Sequence, residues 1–164
     1  MQIINALVLA TLAYLHPGSP SAPTIARAIA IEVSSRCVEP GALGSCALDA
    51  VALGVLAEAE GGLCLGTACK RGDHSRSSST FQTTGRTPEE TDLYERDLGA
   101  ATRQAYAVLR AGAAQCPDAK LAPYCGGCSR RGARALARPR LDLARGILEI
   151  VAPEDLSDDE MARE

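Results

Sequence analysis

Residues Cys46–Gln82 read CALDAVALGVLAEAEGGLCLGTACKRGDHSRSSSTFQ, and the rest of the chain is arranged around them. The first half is apolar nearly all round at helical spacing. That pattern marks a helix enclosed by protein on every side. The spacing predicts a helix from about Cys46 to Glu60, terminated by Gly61-Gly62, because glycine readily takes the left-handed conformation that ends a helix. The second half, Leu63 to Gly85, has neither helical nor clear strand periodicity and is rich in Gly, Ser, Arg and Cys. So long an irregular stretch in a compact domain is usually functional or mobile. A short β-hairpin inside it is compatible with the pattern.

Before this stretch, two shorter helices are expected. The first covers Ile3 to Leu15 and is stopped by His16-Pro17-Gly18. It has some look of a secretory leader, but no Lys or Arg precedes Arg27, so the positively charged start of a leader is missing. The second begins near Thr24, with Ile25, Ala28, Ile29 and Ile31–Val33 as a broad apolar face, and fades at Ser34-Ser35. Cys37 to Ser45 reads as a loop. After the irregular stretch, Thr87-Pro88-Glu89-Glu90 is a helix start, with a threonine cap, proline at the first helical position and glutamate at the third. That helix is expected to run to about Gly112. A last one covers about Ser129 to Val151, with Leu136, Leu141, Leu143, Ile147 and Leu148 for the core and a kink at Pro139.

A chain of 164 residues is long enough for one domain with a real core. Alanine and leucine dominate and tryptophan is absent, so a mainly α fold is the expectation. No apolar run reaches the roughly 18 to 20 residues that span a bilayer. The charge is uneven: the tail after Pro153 is strongly acidic, whereas residues 1–152 are mildly basic. The organisation expected is therefore a domain over 1–153 and an acidic tail over 154–164 that packs poorly or serves as a contact arm. The arginines between Arg130 and Arg145 suit either a solvated helix face or an anionic polymer, and no nucleic-acid motif accompanies them.

Seven cysteines are many for this length and point to an oxidising environment. Cys64 and Cys69 flank a turn that can close to disulfide distance. Cys116 lies near Cys125 and Cys128, so one bond is expected there. Cys125-Gly-Gly-Cys128 also has metal-ligand spacing, but no second such pair and no nearby histidine pair completes a site, so no metal is expected.

Two carboxylates lie near the end of the central helix. Glu58 and Glu60 are two residues apart, about 200° around a helix, so they cannot serve one cleft together. Glu60 shares its face with Leu53, Leu56 and Ala57. Apolar surroundings disfavour the charged form of a carboxyl group, and the negative end of a helix dipole acts in the same sense. A carboxyl held protonated is what a general acid needs. A plain surface glutamate at a fraying helix end is the competing reading.

With these residues in place, the chain resembles the lysozyme-like superfamily of soluble lytic transglycosylases, goose-type lysozymes and phage peptidoglycan-cleaving domains. In that family a helix ends in a catalytic Glu followed by Ser-Gly; here Glu60-Gly61-Gly62 stands at that place. The family's loop carries a Ser, then a Gly, then a cleft-lining Gln. Here Gly72-Asp73-His74-Ser75-Arg76-Ser77-Ser78-Ser79-Thr80-Phe81-Gln82 matches, with Ser77 and Gln82 at the Ser and Gln positions. The family's later tyrosine, packed beside the glutamate, falls on Tyr124 in Leu121-Ala122-Pro123-Tyr124-Cys125-Gly126-Gly127. The resemblance covers about residues 24–150. The departures are Gly61 in place of Ser, Ser79 in place of Gly and Cys125 in place of Asn. A serine at a glycine position is strained if its φ is positive.

The resemblance implies a mainly α lysozyme-like domain with an irregular loop or small hairpin as one wall of the cleft. It implies cleavage of the β-1,4 bond between N-acetylmuramic acid and N-acetylglucosamine, with Glu60 as the single acid/base and Ser77, Gln82 and Tyr124 lining the substrate cleft. No cofactor is called for. A transglycosylase would return the proton through the muramic 6-hydroxyl; a hydrolase would activate water and usually wants a second carboxylate, of which Asp73 is the one in the cleft loop. Asp73 and His74 in this loop either assist catalysis or bind sugar, or simply solvate the loop. The partners implied are peptidoglycan glycan strands, with virion or envelope proteins as further ones. The location implied is the periplasm, the cell envelope or a phage virion. The rival expectation is a catalytically weak lysozyme-like part of a larger assembly, kept for structure or glycan binding.

Overall fold

The computed structural model describes residues 1–37, 43–72, 77–115 and 143–151. The fold is mainly helical, with a small two-stranded antiparallel sheet. In chain order it runs α1 (Gln2–Leu15), α2 (Ala22–Ser34), α3 (Leu43–Gly61), a 3-10 turn at Gly66–Ala68, β1 (Ser77–Ser78), β2 (Thr83–Thr84), α4 (Pro88–Arg96), α5 (Leu98–Gln115) and a helical segment over 143–151, here α6.

The centre is α3. Ala50, Val51, Ala52, Leu53, Leu56 and Ala57 on it are fully buried. It packs against α1, α2 and α5, so its apolar character on all sides has a partner in each direction. Val8 and Leu12 of α1, Ile25 and Ile29 of α2, Tyr106 and Leu109 of α5, and Ile147 and Leu148 of α6 complete the same core. Among the described residues no helix is long and apolar enough to cross a membrane.

Three details depart from the sequence reading. The helix expected from Thr87 to Gly112 is two helices, broken at Asp97. Asp97 is extended (φ −118°, ψ 98°), and its carboxylate accepts from Ala100 N–H at 3.0 Å, so it ends α4 and caps α5. On α2 the expected apolar run at 31–33 is inverted: Ile31 is 51% exposed, while Glu32 is buried at 9%. Glu32 is held inside by Arg36 (2.8 Å) and Arg103 (3.6 Å). Leu143, expected in the core, is 42% exposed, although Ile147 and Leu148 are buried as expected. The segment expected to carry Leu136, Pro139 and Leu141, and the acidic tail, lie outside the described residues.

The start of α4 follows its sequence signature. Thr87 Oγ1 accepts from Glu90 N–H at 3.3 Å, Pro88 opens the helix, and Glu90 reaches back to Arg86 N–H at 2.7 Å. Two disulfides brace the fold. Cys64–Cys69, with Cα atoms 5.0 Å apart, is the pair expected from the turn between them. Cys37–Cys46, with Cα atoms 6.2 Å apart, joins the end of α2 to the start of α3 and was not foreseen. Cys116, Cys125 and Cys128 lie outside the described residues.

Candidate functional site

The helix end at Glu60 is built by close approach of the hairpin. A Cβ on Gly61 would lie 2.6 Å from Thr80 Cα and 2.8 Å from Thr80 C, both backbone atoms. Only a residue without a side chain lets the hairpin turn come so near. Thr80 Oγ1 donates to Ala57 O at 3.0 Å, giving one of the last helical carbonyls a partner from the hairpin. Gly62 N–H donates to Glu58 O (2.8 Å), and Leu63 N–H donates to Ala57 O (3.3 Å). Gly62 takes φ +57° to make this turn. The end of α3 is therefore locked on the turn between β1 and β2.

That turn is anchored below and strained above. Phe81 is fully buried and acts as its plug. Ser78 Oγ donates to Thr91 O at 2.7 Å, tying β1 to α4. Ser79, at the position where the resembled family has glycine, has φ +70°, and Gln82 has φ +49°. Both lie in the left-handed region that side-chain-bearing residues seldom occupy. Ser79 is held there by its own hydroxyl, which accepts from Phe81 N–H (3.2 Å) and is within 3.1 Å of Thr83 Oγ1. The backbone at Ser79 thus takes a conformation that glycine adopts without strain.

Ser77 and Gln82 are brought together. Ser77 is 4% exposed and donates its hydroxyl to Gln82 Oε1 at 3.3 Å. Gln82 Nε2 donates to Lys70 O at 2.9 Å and to Ser79 O at 3.3 Å. Gly72 and Ser77 exchange backbone hydrogen bonds of 3.1 and 3.2 Å. The pair therefore shapes the loop from within, stitching the segment after Cys69 to the hairpin. Arg71 fastens the same segment to α4 through Asp92 and Glu95, and those two carboxylates hold its guanidinium above the ordinary arginine range.

Glu60 itself is partly buried in the last turn of α3 and has an interaction within the structure. Leu53, Leu56 and Ala57, the residues expected to share its face, are all buried. Tyr124, Asp73 and His74, the other residues placed at this cleft by the sequence, lie outside the described residues.

A second polar cluster was missed. Asp49, 3% exposed in α3, accepts from Tyr106 Oη at 3.2 Å and faces Arg110 at 3.6 Å. The guanidinium of Arg36 lies 5.5 Å from the Tyr106 ring centre and that of Arg110 lies 6.0 Å from it. Burial above all, and then the Asp49 charge, push the Tyr106 phenol up to about 12. Asp49 sits in the middle of an apolar helix, and a lone acid in such a run is a signal for a buried partner. Its partner, 57 residues away, had no sequence signal. Compared with family models, with curated proteins and with solved structures, the chain matches none.

Proposed function

We propose that the chain is a lysozyme-like domain that cleaves the glycan strands of peptidoglycan, with Glu60 as its general acid and base. One observation carries this reading. A buried helix ends at Glu60-Gly61 against a hairpin turn whose serine keeps positive φ where the resembled family has glycine. The backbone that carries Glu60 is held by both elements, and a held carboxyl group is what proton transfer to a glycosidic oxygen requires. Glu60 then protonates the leaving oxygen as the bond breaks through an oxocarbenium-like state. The conjugate carboxylate next takes a proton, from the muramic 6-hydroxyl in a transglycosylase or from water in a hydrolase. The two disulfides favour a place of work outside a reducing compartment.

A murein zymogram tests this. The wild-type chain should clear the gel, and Glu60→Gln, which keeps the size and removes the proton donor, should not. A variant as active as wild type refutes the role of Glu60. A second reading is favoured by one observation: the polar groups of Ser77 and Gln82 bond to each other and to the loop backbone. That arrangement suits a structural or glycan-binding part of a larger assembly, in which the wild-type chain binds murein without clearing it.

A further inference from the structure

The two disulfides are built alike. Each has a half-buried cysteine just past the end of a helix, Cys37 after α2 and Cys64 after α3, and a buried partner, Cys46 or Cys69. A thiolate reagent meets the half-buried sulfur and expels the buried one. The two leaving sulfurs differ. Cys46 lies in the first turn of α3, at the positive end of that helix's dipole, where a thiolate is favoured. Cys69 only closes a single 3-10 turn and has no helix start to steady its charge.

The surrounding charges act in the same sense. Arg36 directly precedes Cys37. Among the described residues, Arg36 and Arg103 share the carboxylate of Glu32, and Arg110 faces Asp49, so guanidiniums outnumber carboxylates there. Near Cys69 the balance is different: Asp92 and Glu95 both close on the one guanidinium of Arg71, and Lys70 adds the other cation beside the pair. The Cys37–Cys46 bond also stands next to the buried polar cluster. Asp49 lies one turn beyond Cys46 on α3, it accepts from Tyr106 of α5, and Arg36 lies over the Tyr106 ring.

We propose that Cys37–Cys46 is a redox-sensitive latch, opened by a dithiol reductant before Cys64–Cys69, and that its opening loosens the Asp49–Tyr106 join between α3 and α5. One thiolate of the reductant attacks Cys37 Sγ, the bond between the two cysteine sulfurs breaks, and Cys46 leaves as a thiolate. The second thiolate of the reductant then displaces Cys37. The reductant ends as a disulfide, and its two protons end on Cys37 and Cys46. With the bond open, the end of α2 loses its covalent tie to α3. The cover that Arg36 gives Tyr106 then depends on side-chain contacts alone, and water gains access to Asp49. The inference does not depend on the role given to Glu60.

The test uses the folded full chain with reduced dithiothreitol, quenched by alkylation at intervals and read by peptide mass spectrometry. Cys37 and Cys46 should become labelled about tenfold faster than Cys64 and Cys69. Arg36→Gln, at an exposed position, should slow the labelling of Cys37 and Cys46 about threefold. Amide hydrogen exchange is then compared between the closed chain and the chain with Cys37–Cys46 alone open. Exchange over residues 47–52 and 103–110 should be about tenfold faster in the open form, and that of the hairpin over 77–84 should be unchanged. Labelling of Cys64 and Cys69 as fast as that of Cys37 and Cys46, an unchanged rate in Arg36→Gln, or unchanged exchange over 103–110 in the open form would each overturn the proposal.

Discussion

Gly61→Ala is the perturbation that bears most directly on how the helix end and the hairpin are joined. The new methyl would lie 2.6 Å from Thr80 Cα, far inside contact distance, and Thr80 is backbone that no rotamer change can move aside. Either the hairpin turn retreats or the last turn of α3 unwinds. Overpacking of this kind costs about 1–3 kcal/mol. Retreat also breaks the Thr80 Oγ1 to Ala57 O hydrogen bond, worth about 1 kcal/mol. A loss of about 2–4 kcal/mol is expected, on the order of a 4–15 °C drop in melting temperature for a domain of this size. Gly62→Ala is the comparison. Gly62 has φ +57° but open space around its Cα, so only the conformational term of about 1–2 kcal/mol applies. Urea unfolding followed by circular dichroism measures both. A Gly61→Ala loss below that of Gly62→Ala would show that the hairpin does not press on the helix end, and the account of the site would fall with it.

Three other outcomes are expected. Ser79→Gly should stabilise the chain by up to about 1 kcal/mol, because φ +70° strains a serine and not a glycine, less whatever the hydroxyl contributes through Phe81 N–H; chemical denaturation reads the sign. Ultraviolet titration of the phenols should show one transition near pH 12 that disappears in Tyr106→Phe; since the folded chain holds this proton more tightly than the unfolded chain does, the associated stability is complete below about pH 10 and is lost as the pH rises towards 12. Alkylation of the non-reduced protein should leave at least Cys37, Cys46, Cys64 and Cys69 unmodified, and reduction should cost about 2–3 kcal/mol for each short loop opened; labelling of all four would contradict the pairing.

The parts of the fold that could be read from the sequence are those set by local chemistry. The enclosed helix α3 announced itself by apolar residues on every face, and its stop by Gly61-Gly62. The α4 start was legible because threonine, proline and glutamate each satisfy one need of a helix N-terminus. The break at Asp97 was not, since Arg96-Asp97-Leu98 contains neither Gly nor Pro; the cue was the ability of Asp97 to cap Ala100. Burial of Glu32 in place of Ile31 had half a cue in the Glu32–Arg36 spacing of four, but the other half, Arg103, is brought in by tertiary packing. The Cys37–Cys46 bond and the Asp49–Tyr106 contact also depend on how helices meet. At the candidate site, Ser77 and Gln82 were expected only as two cleft-shaping residues; their direct hydrogen bond, across a turn with left-handed conformations at Ser79 and Gln82, had no sequence signal.

The most direct test of the central claim is product analysis of purified murein sacculi digested with the wild-type chain, Glu60→Gln and Glu58→Gln, each first shown to have the same melting temperature. Mass spectrometry should find soluble muropeptides from wild type and from Glu58→Gln, and none from Glu60→Gln. Anhydro ends in those products would identify a transglycosylase and reducing ends a hydrolase. Muropeptides released by Glu60→Gln at the wild-type rate, or none released by the wild-type chain, would contradict the assignment of Glu60 as the catalytic acid.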